Sequence, residues 1–180
     1  MVERKHANLI ITEPVILEPP TGFENELLEE KKKQDEEKEK GNWIEYDTLF
    51  GVGGKVSKTS LFTVCNVVKD RHGTGVGVDT KAHSHDWDES FIFIGTNKDN
   101  LRDLGGEIEL WIEDEQNLIT KSCTIFIPKG MIHCPCLFRR VDSPIFWILI
   151  GHANAYSANL DKGGRYYDYV TKKVEVGKGH

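Results

Sequence analysis

The stretch HSHDWDESFIFIG, residues 83–95, carries two histidines, two aspartates and a glutamate directly ahead of a run of large apolar residues. In an extended chain, residues two apart point to the same side of a sheet, with side chains starting about 7 Å apart. His83 and His85 can therefore aim two imidazoles at one point. Glu89 enters the next extended run on the same parity as Phe91 and Phe93. A carboxylate that leads apolar residues into a core needs a partner there, because burying it unpaired is costly. A cation would be such a partner. A polar turn feeding a buried strand is the plainer reading of the same letters. His133 is a fourth candidate, since Pro128 and Gly130 of PKGMIH predict a tight turn that returns the chain to extended structure just ahead of it.

Outward from this stretch the sequence reads as short strands separated by Gly, Asn and Asp. WIEYDTLF is followed by the turn GVGG, LFTVCNVV by KDRHGTGVGVD, EIELWIED by EQN and LITKSCTIFI by PKG, and SPIFWILIG comes later. Ile108, Leu110 and Ile112 alternate with Glu107, Glu109, Trp111 and Glu113, which predicts a strand with one wet face. About seven such strands predict an all-β sandwich or barrel. The glycines of HGTGVGVD are spaced G-x-G-x-G with no helix after them, which suits a hairpin loop and excludes a dinucleotide fingerprint.

Ahead of the strands, ENELLEEKKKQDEEKEKG has opposite charges at helical spacing and almost no apolar side chains. It predicts an exposed helix or mobile arm ended by Gly41. The chain then divides into an N-terminal arm with a charged helix (residues 1–42), a barrel (43–155) and a C-terminal extension (156–180). Its 180 residues suffice for one sizeable core, and its net charge of −6 disfavours nucleic acid or an anionic membrane as partner. MVERKHANLI lacks the apolar core of a secretion signal, and the longest apolar run, Ile145 to Ile150, is far short of a membrane span. The expected location is the cytoplasm. Cys65, Cys123, Cys134 and Cys136 are then expected as reduced thiols.

At this point the residues resemble a known family. Gly77-x5-His83-x-His85-x3-Glu89-x5-Gly95 is similar to the first motif of the cupin superfamily, and PKGMIH to the core of its second motif. The spacer after Glu89 is one residue short, and Ser122 and Leu137 stand where the second motif has glycine and asparagine. The resemblance implies a double-stranded β-helix, the jelly-roll barrel, with a divalent transition metal inside it. Carried over position by position, it implies His83, His85, Glu89 and His133 as the metal ligands. Iron, manganese, nickel, cobalt and zinc all suit such mixed N/O ligation.

The function expected from this resemblance is metal-dependent chemistry on a small oxygen-rich or carboxylated molecule, as a dioxygenase, isomerase, lyase or hydrolase. The alternative is a non-catalytic cupin that senses or binds a small ligand. The expected partners are a small molecule and a second copy of the chain in a homodimer, with no nucleic acid and no membrane. Trp87 is a candidate lid, Phe91 and Phe93 are candidate pocket or core residues, and Arg139 and Arg140 are candidate clamps for a substrate carboxylate. His152 reads as a strand-end residue. The tyrosines of RYYDYV could cover the barrel mouth or a neighbouring subunit.

Overall fold

The computed structural model describes residues 10–12, 24–75 and 81–161. Gly77 and the RYYDYV segment lie outside them. The helix α1 (Glu24–Glu39) is followed by ten strands: β1 (Trp43–Val52), β2 (Phe62–His72), β3 (His83–Ser84), β4 (Glu89–Gly95), β5 (Asp103–Ile112), β6 (Glu115–Lys121), β7 (Cys123–Ile127), β8 (His133–Val141), β9 (Ile145–Gly151) and β10 (Asn159–Leu160). One antiparallel sheet runs β1-β2-β9-β4-β7 and the other β10-β3-β8-β5-β6. Within them, β2-β9-β4-β7 and β3-β8-β5-β6 are the two four-stranded halves of an eight-stranded jelly roll. The fold is therefore all-β and of the cupin type, with the two sheets facing each other across one apolar core. Val68, Phe93, Leu104, Ile108, Leu110 and Ile145 at its centre are fully buried.

The charged segment is helical. It ends in a Schellman turn: Asn42 N–H donates to Glu37 O and Gly41 N–H to Lys38 O, at 2.9 Å each, with Gly41 at φ +84°. The helix meets the barrel through its last turn, where Lys38 Nζ sits 4.5 Å over the Trp43 ring.

Two sequence expectations change. LITKSCTIFI is not one strand: it breaks at Ser122, with β6 in one sheet and β7 in the other. The Ser122 hydroxyl pins this crossing by donating to Leu101 O (2.6 Å) and accepting from Gly95 N–H (2.9 Å). Nor is the alternate face of β5 wet. Glu109 and Trp111 are both buried, and burial is tolerable because the carboxylate accepts from Trp111 Nε1 (2.6 Å) and Arg139 Nε (2.7 Å). One feature lies outside those expectations: β8 lies in the middle of its sheet despite containing Pro135. Its ladder with β5 jumps from Leu110↔Cys136 to Ile112↔His133, so Cys134 and Pro135 together oppose Trp111. This β-bulge accommodates the missing N–H of proline and resets the strand's parity. His133, Cys136 and Phe138 then share one face with Ile112, Leu110 and Ile108.

The sheet also continues past residue 155. Asn159 and Leu160 pair with Ser84 and His83, and Asp161 N–H donates to Ala82 O. Among the described residues no helix is long and apolar enough to cross a membrane.

Candidate metal centre

The site is assembled from both sheets. Glu89, first residue of β4, lies between Gly151 of β9 and Ile127 of β7. The opposite sheet supplies His83 and His133, directly paired across β3 and β8 with ring centroids 4.4 Å apart. His85 follows β3, in the loop that leads to β4. That loop is held by the turn of the second motif: Gly130 N–H donates to His85 O and Lys129 N–H to Asp88 Oδ1, both at 2.8 Å. The turn is the one expected from PKGM, closed by Met131 N–H on Pro128 O with Gly130 at φ +80°.

All four side chains are buried, none more than 3% exposed. One potential ligand atom from each lies within 4.8 Å of every other. Each imidazole is oriented from behind by a backbone carbonyl. His83 Nδ1 bonds Lys81 O at 2.8 Å, His85 Nδ1 bonds Ser157 O at 2.7 Å and His133 Nδ1 bonds Met131 O at 3.0 Å. A carbonyl can only accept, so Nδ1 carries the proton in each ring. In the neutral imidazole Nε2 is then a bare lone pair.

Two of those lone pairs point at a carboxylate. Glu89 Oε2 lies 3.2 Å from His85 Nε2 and 3.0 Å from His133 Nε2. Although close, His85 Nε2 and Glu89 Oε2 are buried without a properly aligned hydrogen bond. Burial opposes the charge on Glu89, and His133 and His85 lower its carboxyl to about 2 only as N–H donors. With their Nε2 atoms as lone pairs, a bound cation would take that role. An anion surrounded by imidazole lone pairs is a poor hydrogen-bonding group and a good ligand set. The four residues fit a divalent transition metal.

Other expectations resolve into packing. Trp87 stacks on His85, with ring centroids 4.0 Å apart and planes 13° apart, and donates from Nε1 to Ser157 Oγ at 3.2 Å. Gly151 makes room for it, since a Cβ there would meet the indole at 2.5 Å. Phe91 and Phe93 belong to the core, and only Phe91 reaches the site, edge-on to His133 at 5.8 Å. Arg139 pairs with Glu109, and Arg140 with Asp142, so the two are engaged with the barrel's own carboxylates. His152 is an exposed residue just past β9. None of the four cysteines is bridged, and Cys134 and Cys136 lie in the apolar core.

One group near the ligands has no counterpart in the sequence reading. Tyr156 places its hydroxyl 3.2 Å from His83 Nε2. Its ring lies 5.1 Å from His85, 5.9 Å from Trp87 and 5.4 Å from Phe62. Nothing in HANAYSANLD marks this tyrosine, because neither motif spacing nor strand alternation extends to it. Only the pairing of β10 with β3 brings it in.

Jelly roll and ligand cluster together make a β-barrel with a candidate metal centre inside it. No protein-family model matches the chain, and no curated protein does. Among solved structures, it is similar to KdgF from Halomonas sp., with 14% identity, 59% of this chain and 77% of that one covered, and a TM-score of 0.36. An RmlC-like cupin from Shewanella frigidimarina is 14% identical, with 63% and 79% covered and a TM-score of 0.38. The polyketide cyclase RemF from Streptomyces resistomycificus is 13% identical, with 96% and 94% covered and a TM-score of 0.44.

Proposed function

We propose that His83, His85, Glu89 and His133 hold one divalent transition metal, and that the protein is a metal-dependent enzyme acting on a small oxygen-rich or carboxylated molecule. The observation that carries this reading is the orientation of the imidazoles. Three Nδ1 atoms are occupied by carbonyls, so the three Nε2 atoms are lone pairs, and those of His85 and His133 lie 3.2 and 3.0 Å from the buried Glu89 carboxylate. Such a group is stabilised by a cation at its centre and by little else.

Were the ion six-coordinate, the four protein ligands would leave two positions for exchangeable groups, which is what distinguishes a reactive site from a structural one. A metal held here supplies Lewis acidity toward a chelating oxygen or, if redox-active, one-electron chemistry. The chain's own residues contribute positioning. Lys81, Ser157 and Met131 fix the imidazole tautomers through their carbonyls, and the Trp87 indole covers the outer face of His85. The proposal includes action as a homodimer in the cytoplasm, which light scattering and cell fractionation test.

The deciding experiment is metal analysis of the purified full-length protein, followed by substrate screening with and without oxygen. We expect close to one equivalent of a transition metal, removable by a strong chelator with a fall in thermal stability. Protein that neither retains nor takes up any transition metal would overturn the reading. A loaded protein with no turnover, but with a small molecule bound at the metal, would support the sensing alternative.

A further inference from the structure

We propose that Tyr156 is a ligand-binding residue of this site, its phenol donating a hydrogen bond to an anionic oxygen of the small molecule held at the metal. The inference rests on the metal reading and adds a specific contact to it. Because His83 Nδ1 is occupied by Lys81 O, His83 Nε2 is an acceptor and the Tyr156 hydroxyl is the donor in their 3.2 Å contact. That lone pair is the same one a metal takes, so metal binding and this hydrogen bond exclude each other.

The ring is not free to swing away when the ion arrives. It sits among Phe62, His85 and Trp87, at centroid distances of 5.4, 5.1 and 5.9 Å. The next residue is anchored as well, with Ser157 O accepting from His85 Nδ1 and Ser157 Oγ accepting from Trp87 Nε1. Neighbouring donors on one ion, each about 2.1 Å from it, are roughly 3 Å apart. A hydroxyl 3.2 Å from one ligand atom is therefore close enough to hydrogen-bond an exogenous oxygen bound beside that ligand. Tyr156 is also half-buried whereas the four ligands are buried, so this residue runs from the cluster toward solvent. The chemical class that suits both the ion and a neutral O–H donor is a carboxylate or enolate oxygen.

The test uses the full chain loaded with cobalt(II), whose visible absorption reports its ligands, and sodium oxalate as the probe. Tyr156→Phe keeps the ring and its packing. We expect it to bind cobalt with the wild-type stoichiometry and spectrum, but to bind oxalate about ten to a hundred times more weakly, the size of one hydrogen bond to a charged group. Equal oxalate affinity in the two proteins overturns the inference and leaves the metal reading standing, as does a wild-type cobalt spectrum that does not respond to oxalate. A cobalt spectrum already altered by Tyr156→Phe in the absence of oxalate overturns it by making the phenol a metal ligand. Wild-type protein that takes up no cobalt overturns the metal reading and this inference together. The near-ultraviolet tyrosine signal supplies a second readout that needs no oxalate. Adding zinc to metal-free wild type should shift it as the phenol leaves His83, and the shift should be absent in Tyr156→Phe. An identical shift in both counts against the inference.

Discussion

Residues 24–39 and residues 83–89 are both dominated by ionisable side chains, and the fold treats them in opposite ways. The described charges of α1 stand largely in water, and their contacts are surface pairs such as Glu37 with Lys40 at 2.9 Å. Such pairs contribute little, because solvent screens them and ordering two long side chains costs entropy. In the second segment His83, His85 and Glu89 are almost fully withdrawn from solvent. Composition does not separate the two regions. What separates them is periodicity: helical spacing with no apolar face in one, and strand parity shared with Phe91 and Phe93 in the other. Polar groups go inside when the strand that carries them has an apolar face to bury and a partner waiting for the charge.

The sharpest way to break this contrast is to remove the buried charge while keeping its shape. Glu89→Gln should reduce retained metal at least tenfold after dialysis against a weak chelator, measured by elemental analysis. The metal-free barrel should keep its thermal stability to within about 1–2 kcal/mol, because apolar burial elsewhere holds the fold. Equal metal content in wild type and variant would mean that Glu89 is only a paired carboxylate, as surface-like in its consequences as those of α1.

The next effect is steric. Gly151 lies opposite Glu89 in the sheet and beneath the Trp87 indole. Gly151→Ala should push that ring against His85, cost about 1–3 kcal/mol by overpacking, and weaken metal binding as the imidazole tilts. Thermal melts of the metal-free protein and a chelator competition separate the two consequences. An unchanged metal affinity would show that the stacked indole covers the site without supporting it.

How far this was legible in the sequence follows from the same physics. Strand parity and the turn PKGM make His83, His85, Glu89 and His133 candidates, and the resemblance to the two cupin motifs is what joins them into one ligand set. The turn PKGM also predicts extended chain at His133, but not the bulge at Pro135 that lets β8 run through the middle of its sheet. Glu109 and Trp111 were misplaced on a wet face, because alternation cannot show that Arg139, thirty residues away, neutralises the carboxylate. Tyr156 was invisible for a related reason: its position depends on a two-residue strand far along the chain.

Glu109 gives a smaller, pH-dependent test of the same distinction between buried and exposed charge. Burial raises its carboxyl, but hydrogen bonds from Arg139 and Trp111 outweigh this and hold it below the ordinary value. A carboxyl lowered in the folded state stabilises the fold above its unfolded pKa of about 4.3, and that contribution is lost as pH falls through the lowered value. Glu109→Gln should therefore cost about 1 kcal/mol at neutral pH, discounted because Arg139 keeps contact with water. The difference from wild type should close on going below about pH 4. Denaturant melts across that range check it, and a difference that stays constant with pH would mean that the charge of Glu109 is not what stabilises the fold.

The smallest effect belongs to the exposed region. Gly41 holds a left-handed conformation that closes α1, and a Cβ there would meet nothing within 4 Å. The cost of Gly41→Ala is therefore conformational alone, about 1 kcal/mol within the helix's last turn. The helix is tied to the barrel mainly at that turn, by Asn42 Nδ2 donating to Glu37 Oε2 at 2.9 Å and by Lys38 over Trp43. Loosening it should fray α1 without moving the sheets. Hydrogen exchange should quicken at residues 36–42, while β3, β4 and β8 keep their protection and the metal content stays that of wild type. If slow exchange in those strands is lost as well, the charged helix is a structural part of the barrel, and the two polar segments are more alike in their energetics than their burial implies.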